Sequence, residues 1–516
     1  MFLFEAILFM LAAAVLLLTV ANKTRIPYPV LLAVAGGAVA LAPFNTTIHL
    51  DPDLILALFV GPVLLDAAFD TSIRDLKNNW PAIASLALVA VGLTTAAVAW
   101  VVHMLTPQLP WAAAVAIGAI VAPPDAVSAM AVLRDLKLPH RIKVILGGEA
   151  LLDDASTLLI YRLAVAAVTS SGNIGAEVIA PAFLLSIVGS VVAGFALAWF
   201  VARIIAQVQD APSSIILQFV STFGVWVLAE QLQLSPILTM VLYAMTLARS
   251  RAAYQPPELR MPSFAVWETV VLVLNVLAFL LIGLELGQVL AAAPAGALGQ
   301  WSLLGAAVLT TVIVVRMIWT ITAALIHRRH VSRSTDSAAA DGDLPDWRSG
   351  LVVGWAGTRG IVTVATALAL PPSFPERGMF LFLALMVTLG TLLIQGLTLR
   401  PLVNAMRLPA DDLVDSEIRH ARVETAKAAL IAIGDDYQTG AEALRDELRQ
   451  ERDQASHAES GDGRAHFPIK ALRAQALRAQ RERLLELRDG GHIGDDAFHR
   501  LEEELDLAEL ATATRT

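Results

Sequence analysis

The sequence predicts an all-α polytopic membrane protein with a charged helical tail, and three observations carry that prediction. Of 516 residues, 56% are hydrophobic and only 16% charged, whereas a soluble domain is nearer half apolar and a quarter charged. Mean hydropathy is +0.65, and apolar runs of the length that crosses about 30 Å of hydrocarbon, about 20 residues, recur from Phe2 to Val403. After Leu408 the composition turns to charged residues with Ala and Leu. A transmembrane domain over residues 1–403 and a cytosolic α-helical tail over 404–516 follow.

The apolar runs and their breakers divide the first domain into about thirteen spans. These cover about 2–20, 28–43, 54–70, 81–103, 111–133, 146–168, 179–206, 213–232, 235–248, 264–286, 299–327, 350–370 and 378–403. The first lacks a basic leader and a cleavage site before Asn22, so it reads as a retained helix. Of the Lys and Arg residues between spans, sixteen, among them Arg74, Arg141, Arg203, Arg328 and Arg348, fall in one set of alternate loops and only Arg377 in the other. Lys and Arg are retained on the cytoplasmic side during insertion. The N-terminus is therefore expected outside and the tail inside a cytoplasmic (inner) membrane.

In the tail, helix is expected from about Val414 to Gln454, then a Ser/Gly/Asp linker from Ser456 to His466, and further helices from Pro468 and Asp495. These amphipathic helices read as a packing or dimerisation appendage. A net charge of −9 argues against a nucleic-acid partner. The absence of cysteine removes disulfides, iron–sulfur centres and thiolate metal sites, and no cofactor is expected.

Ionisable groups inside spans cost on the order of 3 kcal/mol or more and mark function. Here Asp66 falls in span 3, Asp125 in span 5, Glu149, Asp153, Asp154 and Arg162 in span 6, Arg316 in span 11 and Arg359 in span 12. Five acids against three bases leave carboxylates in surplus, the mark of a cation site. In span 6, Glu149 and Asp153 share a face, while Asp154 lies about 100° further round at 3.6 residues per turn, so one helix presents two roles.

Two spans carry helix breakers at mid-membrane. In span 5, Pro123 and Pro124 precede Asp125 and remove backbone donors; in span 12, Gly354, Gly357 and Gly360 surround Arg359. Spans 5 and 12 are seven apart in order, so they run in opposite directions if spans 1–6 repeat, inverted, as spans 8–13. Paired interrupted helices crossing at the midplane are the layout of inverted-repeat transporters. Asp125 and Arg359 then compensate the dipoles of half-helix ends.

Gly148-Glu149-Ala150-Leu151-Leu152-Asp153-Asp154 resembles the G-E-S-L-L-N-D signature of cation:proton antiporter family 1, the bacterial and archaeal sodium/proton antiporters and the sodium/hydrogen exchangers. Pro123-Pro124-Asp125 is similar to that family's P-T-D, Gly357-Thr358-Arg359-Gly360 to its G-L-R-G, and Phe279–Leu284, after Asn275, to its F-L-L-x-G-L. The resemblance covers the whole membrane region. It implies a homodimeric antiporter exchanging a monovalent cation for protons, with Asp154 as the cation- and proton-binding carboxylate, Asp125 beside it and Glu149 paired with Arg316. Asp66, in the place of the acid of the family's P-P-L-L-F-E, would stand near the mouth of the ion path.

Three departures from the family pattern bear on selectivity and stoichiometry. Pro124 replaces a threonine and Ala150 a serine, removing two oxygen ligands. Asp153 replaces an asparagine and makes an Asp-Asp pair like that of the electrogenic family 2 antiporters. Because Glu149 and Arg316 are retained, electroneutral exchange is expected; the alternative is electrogenic exchange through Asp153 and Asp154. Of rival classes, an intramembrane aspartyl protease needs a G-x-G-D element that does not occur, a channel needs a ring of ligands, and an ATP-driven pump needs a Walker A motif that is missing.

Overall fold

In the computed structural model the chain is described over residues 2–24, 26–40, 52–69, 71–133, 138–169, 176–254, 257–294, 296–331, 346–409 and 413–433, with scattered single positions besides. The expected linker and later helices of the tail lie outside the described residues. By contact the chain forms two compact units, Met1–Asp411 and Asp412–Thr516.

The described elements are all helical. In chain order they are α1 (Phe2–Thr24), α2 (Tyr28–Ala40), α3 (Pro52–Ile55), α4 (Gly61–Phe69), α5 (Ile73–Asn78), α6 (Trp80–Ala84), α7 (Val91–Leu105), α8 (Trp111–Val121), α9 (Ala126–Leu133) and α10 (His140–Thr169). Next come α11 (Ala176–Ile205), α12 (Ala211–Gln231), α13 (Pro236–Tyr254), α14 (Pro257–Ala292) and α15 (Ala297–Val331). The first unit closes with α16 (Trp347–Trp355), α17 (Ile361–Leu368), α18 (Arg377–Thr391) and α19 (Leu397–Met406), and α20 (Leu413–Ile433) lies in the second. π-Helical stretches Leu56–Val60, Ser85–Ala90 and Leu392–Gly396 join α3 to α4, α6 to α7 and α18 to α19.

Helix is present in every one of the thirteen predicted segments. Six stretches are long and apolar enough to cross a membrane by length and composition: Trp80–Leu105, Leu185–Ile205, Ala211–Gln231, Met261–Ala292, Ala297–Arg328 and Arg377–Met406. Several helices outrun their apolar runs: α10 starts at His140 and α14 at Pro257. Hydropathy finds the stretch that must avoid water, whereas the backbone ladder continues until a cap or breaker stops it. The short helix α5 was not predicted, although Ser72 marks it: its side chain accepts from the Asp75 amide at 3.3 Å, the local signature of a helix start.

Two features place the interior. Along α8, Ala113, Ala114, Ala116, Ile117, Ala119, Ile120 and Val121 are at most 1% exposed, so this helix is apolar all round because it is enclosed all round. Helices α2 and α14 meet backbone to backbone: a Cβ on Gly36 would strike the Leu280 carbonyl, and one on Gly283 the Ala33 carbonyl and the Gly37 amide. Such small-residue contacts supply van der Waals packing where lipid leaves no hydrophobic drive between helices.

Candidate functional site

Both interrupted spans break, α8 giving way to α9 across residues 122–125 and α16 to α17 across 356–360. Their freed backbone groups satisfy one another. In an unbroken helix the Asp125 amide would bond the Val121 carbonyl; instead it donates to the Thr358 carbonyl at 2.6 Å. The released carbonyls of Val121 and Ala122 accept from Arg359 Nε at 2.9 Å and Nη2 at 2.8 Å. Arg359 Nη1 donates to the Gly357 carbonyl, and the Arg359 amide to Thr391 Oγ1 at 3.0 Å. The guanidinium, fully buried, thus sits at the negative end of α8.

Asp125 occupies the opposite pole, the start of α9, where its carboxylate accepts from the Val127 and Ser128 amides at 3.2 Å each. The glycines of the second break do more than weaken a helix. A Cβ on Gly360 would collide with the Asp125 carboxyl group, and one on Gly357 with the Arg316 side chain. The two positions are bare because charged side chains fill the space.

The α10 carboxylates face this crossing with different partners. Glu149 accepts from Arg316 Nη1 at 2.6 Å and from Nη2 at 2.8 Å, a bidentate pair with side chains 1% and 3% exposed. Arg316 Nη2 also donates to the Val353 carbonyl at 3.3 Å, a group released where α16 ends. Asp153 is completely buried. One of its oxygens accepts from the Asp154 amide at 2.8 Å, and the other has no hydrogen-bond partner among the described residues. Asp154 is 6% exposed and lies where its charge and that of Asp125 act on each other, while Arg316 is held by Glu149 and Arg359 by carbonyls.

One expected placement changes. Arg162, counted among the bases within the spans, is exposed on α10, two turns beyond Asp154 toward the helix end. Two buried guanidiniums therefore remain against the acids. Asp66 is half-buried on α4, which packs against α13 and α10.

Several residues at the crossing carried no sequence signal of their own. Ser128 Oγ lies 2.5 Å from Thr358 Oγ1, and both hydroxyls donate to the Asp125 carbonyl, at 3.3 and 3.4 Å, so two hydroxyls stand beside Asp125, where Pro124 supplies none. Thr391 caps the second break, and Thr157, on α10, donates to the Asp153 carbonyl at 2.9 Å. Thr358 was legible only as the variable position within Gly357–Gly360. Pro123 is buried and Pro124 half-buried at the first break.

A helical membrane bundle with two broken helices crossing at buried charges defines a multi-pass membrane protein of the secondary-transporter class. The profile described as sodium/hydrogen exchanger, transmembrane, matches residues 10–405. The chain belongs to this family. It is 28% identical to the uncharacterized Na(+)/H(+) exchanger YjcE of Escherichia coli (strain K12), over 94% of each chain. With the sodium, potassium, lithium and rubidium/H(+) antiporter of Bacillus subtilis (strain 168) identity is 26%, over 95% of this chain and 75% of the relative. The sodium proton antiporter MjNhaP1 of Methanocaldococcus jannaschii at pH 8 superposes with a TM-score of 0.57 at 17% identity, over 76% of this chain and 98% of that one. That match shows a shared fold.

Proposed function

We propose that this protein exchanges a monovalent cation, sodium or else potassium or lithium, for protons across the cytoplasmic membrane, and so serves pH and cation homeostasis. The observation that carries the reading is the charge balance of the crossing: the two buried guanidiniums are hydrogen-bonded to Glu149 and to backbone carbonyls, and among the described residues neither is hydrogen-bonded to Asp154 or Asp153. A carboxylate held out of water must be neutralised by a cation or a proton. If the two compete for one site, filling it with either leaves the other to be released on the opposite side, which is exchange.

In this reading Asp154 and Asp125 hold the transported cation, and Ser128 and Thr358 offer neutral oxygens of the hard kind that alkali cations prefer. Glu149 and Arg316 are a fixed structural pair, Arg359 compensates the broken ends, and Asp66 stands toward the mouth of the path. The retained Glu149–Arg316 pair, beside which Asp153 is completely buried, supports one proton per cation and electroneutral exchange. We read thirteen spans in two inverted six-helix repeats about span 7, the N-terminus outside, the tail cytoplasmic, and a homodimer.

Everted vesicles test this when each cation is added in turn under a clamped potassium/valinomycin potential. Cation-dependent proton release should be present and should reverse where cation and proton gradients match, whatever the voltage. Each net charge moved would shift the balance by about 2.3 kcal/mol per 100 mV. A voltage-dependent reversal point would favour electrogenic exchange through Asp153 and Asp154, and no cation-dependent release at all would refute the antiport reading.

A further inference from the structure

The half-helix that follows the second break is short and is held at both ends by its neighbour. Helix α17 is eight residues long, about 12 Å at 1.5 Å per residue, and Gly360 before it supplies no side-chain cap. Its contacts along the way are apolar: Val364 and Ala367 share one cluster with Phe380, Ala384 and Val387 of α18. Apolar contact is proportional to area and has no direction. It presses α17 onto α18 without fixing where along α18 it stops.

Polar ties at the two ends of α18 supply the direction. Thr391, the last residue of α18, accepts from the Arg359 amide at 3.0 Å, two residues ahead of α17. Arg377, the first residue of α18, donates from Nε to the Leu370 carbonyl and from Nη2 to the Leu368 carbonyl, each at 2.9 Å. The sequence explains why a side chain is needed there. In a continuing helix the Leu368 carbonyl would accept from residue 372, but Pro371 and Pro372 carry no amide hydrogen. The Phe374 amide, which would serve Leu370, donates to the Pro371 carbonyl at 2.9 Å instead.

A guanidinium at the C-terminal end of α17 also meets the negative pole of the helix dipole, as Arg359 does for α8. The chain enters α18 through Glu376 in the left-handed region, φ 53°, a conformation rare outside glycine that persists where surrounding contacts hold it.

We infer that Arg377 is a positioning residue for the proposed cation site. Through α17 it sets how closely Gly360 approaches Asp125, whose carboxyl group fills the space that a Cβ at position 360 would take. Released from Arg377, α17 can slide or tilt against α18, and the Asp125 carboxylate loses the wall that orients it toward the cation. Arg377 touches neither ion, and its role rests on the function proposed above.

The test uses the full chain, purified and reconstituted for sodium-dependent proton exchange, with hydrogen–deuterium exchange read by mass spectrometry on the same preparation. Arg377→Met removes both donors and the charge but keeps a long side chain; Arg377→Gln keeps one short neutral donor. The half-saturating sodium concentration should rise about fivefold in Arg377→Met and about twofold in Arg377→Gln, a part of what a lost charge-assisted hydrogen bond is worth. Maximal rates should stay nearly unchanged. Deuterium uptake should quicken across residues 357–364, at the start of α17, as well as across 366–376.

A wild-type half-saturating concentration in both variants would overturn the inference. So would faster uptake confined to residues 366–376, because a cap that only closes the helix end frays there and moves nothing at Asp125. A lower half-saturating concentration would overturn it as well, since that is the sign expected of a positive charge that merely repels sodium. If Arg377→Met does not fold, Arg377→Gln carries the same readings. Normal exchange in the wild type with unchanged variants counts against this inference alone; no sodium-dependent exchange in the wild type counts against the function proposed above and the site this residue would serve.

Discussion

Glu149 and Asp154 lie five positions apart on α10, both buried, in opposite chemical settings. Glu149 is gripped at both oxygens by Arg316; Asp154 is beside a second acid, Asp125. At 3.6 residues per turn the two point about 140° apart round one helix. A buried acid with a permanent counterion is architecture. A buried acid without one would draw its counterion from solution, which is what the proposed exchange requires. Asp153, between them in sequence and completely buried, is the acid whose membership this contrast leaves to experiment.

The largest expected effects fall on the side without a counterion. Asp125→Asn should abolish cation-dependent proton release in everted vesicles while the purified protein still folds, because an amide keeps the caps on Val127 and Ser128 but cannot balance a cation. Gly360→Ala should be nearly as damaging, since its Cβ would enter the space of the Asp125 carboxyl group. Wild-type exchange in either variant would remove Asp125 from the site.

On the paired side the loss should appear in stability. Breaking a buried pair typically costs about 3 to 5 kcal/mol, because the survivor is left charged and unpaired. Arg316→Ala should therefore lower folded yield and melting temperature. Glu149→Gln with Arg316→Met should be milder than the sum of the two single changes, and strict additivity would show that the two groups are not coupled. Arg359→Met should cost less per contact. It strands three carbonyls rather than a charge, at about 1 to 3 kcal/mol for each one left unsatisfied, and a thermal melt in detergent reads the total.

Smaller effects sharpen the contrast. Thr358→Val should raise the half-saturating cation concentration several-fold and leave the maximal rate nearly unchanged if its hydroxyl is a ligand; an unchanged concentration would confine it to backbone geometry. Outside the bundle core, Asp75 is pushed up by partial burial, but hydrogen bonds with His140, Arg74 and Ser72 outweigh this and hold it below the usual carboxylate range. A depressed carboxylate contributes stability above its unfolded value, about 3.9, and loses that contribution as pH falls through the folded value. Asp75→Asn should thus cost at most about 1 kcal/mol at neutral pH, and a melting series should show the difference closing below about pH 4.

How much of this was legible depends on what each residue answers to. Pro123 and Pro124 forbid a continuous ladder wherever they stand, so the first break follows from local chemistry. The glycines at 357 and 360 gave the second break, but not their reason, because the Arg316 and Asp125 side chains that occupy their space come from elsewhere in the chain. The surplus of acids was readable from composition by span. The Glu149–Arg316 pairing followed from family resemblance, since 167 positions separate the partners. Arg162 was miscounted because a hydropathy window cannot tell which face of a helix is covered. Ser128 and Thr358 were missed for a similar reason: a hydroxyl becomes significant only when two backbone breaks bring it beside a carboxylate.

The most direct test of the contrast between the two ends of α10 is proton release on cation binding. Sodium is added to the purified protein in weakly buffered detergent, and the protons set free are counted against the sodium bound. The wild type and any folded Glu149→Gln/Arg316→Met variant should release protons as sodium binds, whereas Asp154→Asn should bind no sodium and release none. Undiminished release from Asp154→Asn, or its loss only when the Glu149–Arg316 pair is removed, would contradict the account.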